Sequence, residues 1–117
     1  MINYRDTELY IYIQAISARK ASDIVILNLK GESSVADFFM ICSAQSTRQV
    51  ASLSQFIVSY LKDNGIKPIS FDTLSEAGWH VLDYGDVVIH IFYEPVREFY
   101  DLEGLWADAD KIEIKED

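Results

Sequence analysis

The stretch Gly78-Trp79-His80-Val81-Leu82-Asp83-Tyr84-Gly85-Asp86-Val87-Val88-Ile89-His90-Ile91-Phe92 limits this chain to a sheet-based fold. Two β-rich runs flank Asp83-Tyr84-Gly85-Asp86, where Gly85 is free to take the positive φ of a tight hairpin turn. A two-residue loop at Tyr84 and Gly85 predicts Asp83 opposite Asp86, Leu82 opposite Val87 and His80 opposite Ile89. Leu82, Val87, Ile89 and Ile91 then share one apolar face. The other face carries Trp79, Val81, Asp83, Asp86, Val88, His90 and Phe92. Because it also holds large apolar groups, it must be covered by a helix of this chain or by a partner.

Upstream, Ser46-Thr47-Arg48-Gln49 reads as a capping box, followed by Val50, Leu53, Ile57 and Tyr60 or Leu61 on one helical face. That helix should stop at Asn64-Gly65, with Pro68 just beyond and a short strand over 69–72. Ile24 to Leu29 and Ala36 to Ser43 are apolar runs suited to strands buried on both faces, joined by a turn over 31–34. Residues 7–20 place Leu9, Tyr12, Ile13 and Ile16 at helical spacing, with Asp6 or Thr7 as N-cap, Glu8 in the first turn and Arg19 and Lys20 in the last. Downstream, Glu94-Pro95-Val96 opens a short helix, and 108–117 forms an acidic tail in which Ile112 and Ile114 alternate weakly. The order α-β-β-α-β-β-β-α gives a mixed α/β sheet with packed helices in one domain, 1–107, followed by the tail. Pairing of the tail with a neighbouring chain's sheet edge would make a homodimer.

At 117 residues, 50% apolar and 25% charged, the composition is that of a globular domain. A formal charge of −9 argues against holding nucleic acid by phosphate neutralisation and favours a basic partner. The excess is local: residues 1–60 hold five basic and five acidic side chains, and residues 61–117 hold five and fourteen. Cys42, the one cysteine, lies in the apolar run Phe38-Phe39-Met40-Ile41-Cys42, as a small buried hydrophobe would in a reducing compartment. With neither a leader-like N-terminus nor an apolar run of spanning length, the expected location is the cytoplasm.

Catalytic signatures are sparse. Two histidines and one cysteine fall short of a zinc cluster, and glycines at 31, 65, 78, 85 and 104 are too scattered for a phosphate loop. Two-metal chemistry wants carboxylates side by side on a strand, but the i, i+2 acid pairs (Asp6 and Glu8, Asp101 and Glu103, Asp108 and Asp110) fall at helix starts or in the tail. Asp83 and Asp86 would repel across the hairpin unless turn hydrogen bonds and water, a partner's cation or Arg97 offset them. His90, between Val88 and Phe92, reads first as a structural imidazole, and Phe99 as core.

A longer pattern runs through these residues. The quoted hairpin, then Arg97-Glu98-Phe99-Tyr100-Asp101-Leu102-Glu103 and Leu105-Trp106, resembles the ribosomal silencing factor family, RsfS, also called Iojap. Ala36-Asp37-Phe38-Phe39-Met40-Ile41 and Ser46-Thr47-Arg48-Gln49-Val50 match its other common stretches, and His80 departs from an apolar residue expected after the tryptophan. The resemblance implies a nucleotidyltransferase-like topology without catalytic carboxylates or cofactor. It also implies binding to the large ribosomal subunit through its basic protein L-fourteen, which sterically blocks subunit joining and represses translation when nutrients are short. Organellar relatives act in large-subunit assembly. On this reading Trp79, Tyr84, Phe92, Tyr100, Leu102, Leu105 and Trp106 are apolar anchors, with His90 beside them. Asp83, Asp86, Glu98, Asp101 and Glu103 meet basic side chains, and Arg97 holds the acidic hairpin or pairs with the partner. Competing readings are a nucleotidyltransferase-fold enzyme and a general adaptor for a basic protein.

Overall fold

The structure is a computed structural model and describes residues 9–114. Its elements are α1 (Tyr10–Ser17), β1 (Ser22–Asn28), β2 (Phe38–Ala44), α2 (Thr47–Asp63), β3 (Ser70–Leu74), β4 (Trp79–Asp83), β5 (Val87–Tyr93), α3 (Glu94–Tyr100), α4 (Leu102–Leu105) and β6 (Asp110–Ile114). The six strands form one mixed sheet in the order β3-β4-β5-β2-β1-β6, parallel at β5/β2 and antiparallel elsewhere. The central pair β2 and β5 are buried on both faces, which is why their sequences are continuous apolar runs.

One face is covered by α1 and α2. Val50, Leu53, Ile57 and Leu61 of α2 pack with Met40, Cys42, Leu82, Ile89 and Ile91, each buried aliphatic worth about 1.5–3 kcal/mol. Ser46 Oγ accepts from Gln49 N at 3.1 Å as expected, but Gln49 Oε1 reaches Gln45 N, one residue further back than a capping box. The expected cap of the first helix at Asp6 or Thr7, like Glu8, lies outside the described residues, and α1 ends at Ser17, before the expected last turn at Arg19 and Lys20. On the other face Val88, Phe92, Val25, Leu27, Phe39 and Ile41 are covered by Val96, Leu102, Trp106 and Ala109, so the chain itself supplies the second layer.

Two expectations are corrected. The hairpin register is shifted by two residues: Leu82 pairs with Ile89, His80 with Ile91 and Asp83 with Val88. The loop is Gly85-Asp86, closed by Tyr84 N–H donating to Val87 O at 2.9 Å, with Gly85 (φ 90°) at the first central position. A two-residue shift keeps every side chain on its expected face, but Asp83 and Asp86 no longer oppose each other. Asp83 Oδ1 accepts from Gly85 N, and Asp86 O accepts from Asp37 N and Phe38 N at the start of β2. The second correction concerns the tail. β6 pairs antiparallel with β1 of the same chain, and Ile112 and Ile114 pack on the α1/α2 core, so the domain runs through Ile114 instead of ending at 107.

Candidate interaction surface

The residues singled out in the sequence separate into three groups. The hairpin tip, Asp83, Tyr84 and Asp86, lies at the opposite end of β5 from the start of α3, about 20 Å away at ~3.3 Å per residue. Tyr84 turns toward α1, its ring 5.5 Å from Tyr12 in an edge contact. Burial, then neighbouring Tyr12, pushes its phenol up to about 12.

The second group lies beneath α3. Phe92 is fully buried and His90 nearly so, which removes both as direct contacts with a partner: the strand that carries them has a layer on each face. They support Trp79 instead. Its ring stacks on Phe92 at 4.8 Å and meets Tyr100 at 5.2 Å, while its Nε1–H donates to His90 Nδ1 at 3.1 Å. That bond places the neutral histidine's proton on Nε2, which is buried without a partner among the described residues. Burial lowers His90 to about 4. On the other face Ser54 Oγ donates to Val50 O, so His80 Nδ1–H is the donor in its 2.8 Å bond to that hydroxyl. Burial lowers His80 as well.

The third group is the α3/α4 segment. Arg97 is a structural tie, not a partner of the hairpin acids: its Nε lies 2.9 Å from Glu103 Oε1 and its Nη1 donates to Asp23 O and Ser43 Oγ, both at 2.8 Å. With Arg97's side chain only 11% exposed, Glu103 is committed internally too. Burial alone would raise Glu103, but the Arg97 hydrogen bond and charge, with Lys111 3.8 Å away, outweigh it and hold the carboxyl below its ordinary value. Asp101 takes φ 46° and caps α4, its Oδ1 accepting from Gly104 N at 3.2 Å. Leu102 and Trp106 are half-buried against the sheet, Trp106 edge-on to Phe39.

What remains outside is Phe99 (81% exposed), Leu105 (75%) and Tyr100 (46%), beside the exposed acids Glu98 and Asp101. Phe99 was expected in the core. A seven-residue helix has too little periodicity to show that the ring points outward. Phe99 and Tyr100, their rings 5.1 Å apart, border a shallow hollow of about 380 Å³ with Ser75, Glu76, Pro95 and Val96. Ser75, Glu76 and Ala77 all have positive φ, a costly conformation for non-glycine residues. The turn leads into Gly78, where a Cβ would lie 2.8 Å from Val96 Cγ2, so a glycine is needed for the turn to approach α3.

Reaction chemistry is thin. The Cys42 thiol is fully buried and pushed up to about 12 by desolvation, against a lowering influence of Arg97. Among the described residues no group of three or more His, Cys, Asp or Glu could hold a metal ion, and no helix is long and apolar enough to cross a membrane.

Comparison with known proteins places this geometry. The family model described as "Ribosomal silencing factor during starvation" matches residues 4–117. A ribosomal silencing factor of Bacillus subtilis is 40% identical over 86% of this chain and 86% of its own length, and that of Halalkalibacterium halodurans is 36% identical over 92% of each. The chloroplastic Iojap protein of Zea mays is 36% identical over 86% of this chain but 44% of its own. Crystal structures of proteins from Chromobacterium violaceum (30% identity, 83% of this chain and 81% of that one) and Bacillus halodurans (34%, 91% and 96%) superpose with TM-scores of 0.78 and 0.77. Sequence over nearly the whole length and fold agree, and the chain belongs to the ribosomal silencing factor (RsfS) family.

Proposed function

We propose that this protein represses translation in the cytoplasm by binding the large ribosomal subunit through its basic protein L-fourteen, so that the small subunit cannot join. The observation that carries this reading is the exposure of Phe99, Tyr100 and Leu105 on the α3/α4 segment, which also exposes the acids Glu98 and Asp101, in a chain belonging to the silencing factor family. Aromatic and aliphatic anchors supply contact area, and the acids steer a basic surface into register. No reaction is required. A body 34 × 33 × 31 Å across, seated on the joining face, separates the subunits by bulk.

The docking surface is α3, α4 and the edge of Trp79. Glu103 and Arg97 hold it from behind, and the hairpin tip lies outside it. Sedimentation with purified large subunits across a salt series tests the assignment. Glu98→Lys is expected to weaken binding and flatten its salt dependence, whereas Asp86→Lys, about 20 Å away, changes either little. Equal effects of the two substitutions would refute this surface.

A further inference from the structure

Across the sheet from α3 and α4, the end of α1 and the first turns of α2 enclose a cleft of about 700 Å³. Its lining reverses the charge of the rest of the molecule. Arg19 and Lys20 contribute to it, Arg48 stands exposed in the adjoining first turn of α2, and among the described residues no Asp or Glu lines it. None of the three cations makes an ion pair among the described residues, whereas Arg97 and Lys111 are both paired with carboxylates. The walls are held in place. Gln49 Nε2 donates to Lys20 O at 3.3 Å while its Oε1 accepts from Gln45 N at 2.7 Å, fastening the end of the α1 segment to α2. The Arg19 guanidinium lies 4.3 Å over the Phe56 ring. Ser17 Oγ, on the lining, is buried without a partner among the described residues.

Cations that make no ion pair among the described residues, set beside the serine hydroxyls of the lining, match the chemistry of a nucleic-acid phosphodiester backbone. We propose that this cleft holds the phosphodiester backbone of RNA. The choice of RNA rests on the proposed ribosomal role; the preference for phosphate rests on the cleft alone. The net charge of −9 does not oppose it, because the acid excess lies wholly in residues 61–117. The protein then meets its target with two unlike surfaces, the acidic apolar patch on a basic protein and the basic cleft on neighbouring RNA.

The test is a titration of ¹⁵N-labelled full-length protein with a short RNA duplex at low ionic strength, beside a parallel titration with inorganic phosphate. Amide shifts are expected at residues 17–20 and 48–56, with RNA binding tighter than free phosphate. The combined Arg19→Gln, Lys20→Gln and Arg48→Gln variant, altered only at exposed side chains, is expected to bind RNA at least ~10-fold more weakly, with a log K against log salt slope smaller by about 3. Shifts elsewhere, no shifts, equal affinity for free phosphate, or undiminished RNA binding by the variant would each overturn the proposal. Since no ribosome is present, protein that binds RNA in the cleft yet fails to sediment with large subunits refutes the proposed function and leaves the cleft standing.

Discussion

Replacing Arg97 with methionine should cost about 3 kcal/mol of stability, because one guanidinium joins four parts of the chain. It sits at the carboxyl ends of the parallel strands β2 and β5, which lead to helices on opposite faces, a crevice left open in many α/β sheets. Here Arg97 closes it, linking α3 to Glu103 in α4, to Asp23 in β1 and to Ser43 in β2. Methionine keeps the aliphatic stem and removes three hydrogen bonds. A charge-assisted bond contributes ~1.5–3 kcal/mol, less for the exposed one to Asp23 O, and among the described residues Glu103 is left with only the more distant Lys111. The assay is urea unfolding at pH 7 with a thermal melt, where 3 kcal/mol corresponds to a fall of roughly 10 °C for a domain of this size. Adding Glu103→Gln to the Arg97→Met variant should restore part of the loss by removing the uncompensated charge. Because Glu103 is held below its ordinary 4.5, its contribution is complete above pH 4.5 and is lost as pH falls through the folded value. The gap between wild type and variant should therefore narrow in acid. A variant within about 0.5 kcal/mol of wild type at pH 7 would refute the tie.

Further outcomes follow from the same geometry. Phe99→Ser with Leu105→Ser should leave the melting temperature within about 2 °C, since both side chains are exposed, yet weaken large-subunit binding at least ~10-fold in sedimentation; unchanged binding would exclude the patch. Unfolded histidine takes its proton near 6.5 and folded His90 only near 4, so stability should fall between those values by up to ~1.4 kcal/mol per pH unit, with His80 acting in the same direction. His90→Asn, which keeps an acceptor for Trp79, should flatten that limb in urea titrations, and an unchanged pH profile would contradict it. Truncation after Ala107 strips β6 from β1 and removes the packing of Ile112 and Ile114, so unfolding should shift by at least ~2 kcal/mol; an unchanged midpoint would mean β6 adds nothing.

The mixed sheet, the α2 helix and both faces of the hairpin were legible because their apolar residues repeat at the periods of a strand or a helix. Register was not. Gly85 suits either central position of a two-residue loop, and the two choices differ by two residues, which leaves every side chain on the same face. The strand at 110–114 was hidden because an edge strand exposes most of its length, and only Ile112 and Ile114 alternate among charged neighbours. Phe92 and Phe99 exchanged expected places. The first lies on a strand covered on both faces, the second on a helix too short to display a stripe. Arg97 pointed to the nearby hairpin acids, whereas its partners at 23 and 43 are distant in sequence and come together only in the folded sheet.

The most direct measurement of the silencing role is the joining of purified ribosomal subunits followed by light scattering, with sedimentation run on the same mixtures. Added in excess over large subunits, wild-type protein is expected to suppress the joining signal, and the Phe99→Ser, Leu105→Ser variant to leave it intact. Normal joining while the wild-type protein sediments with the large subunit would contradict the blocking mechanism.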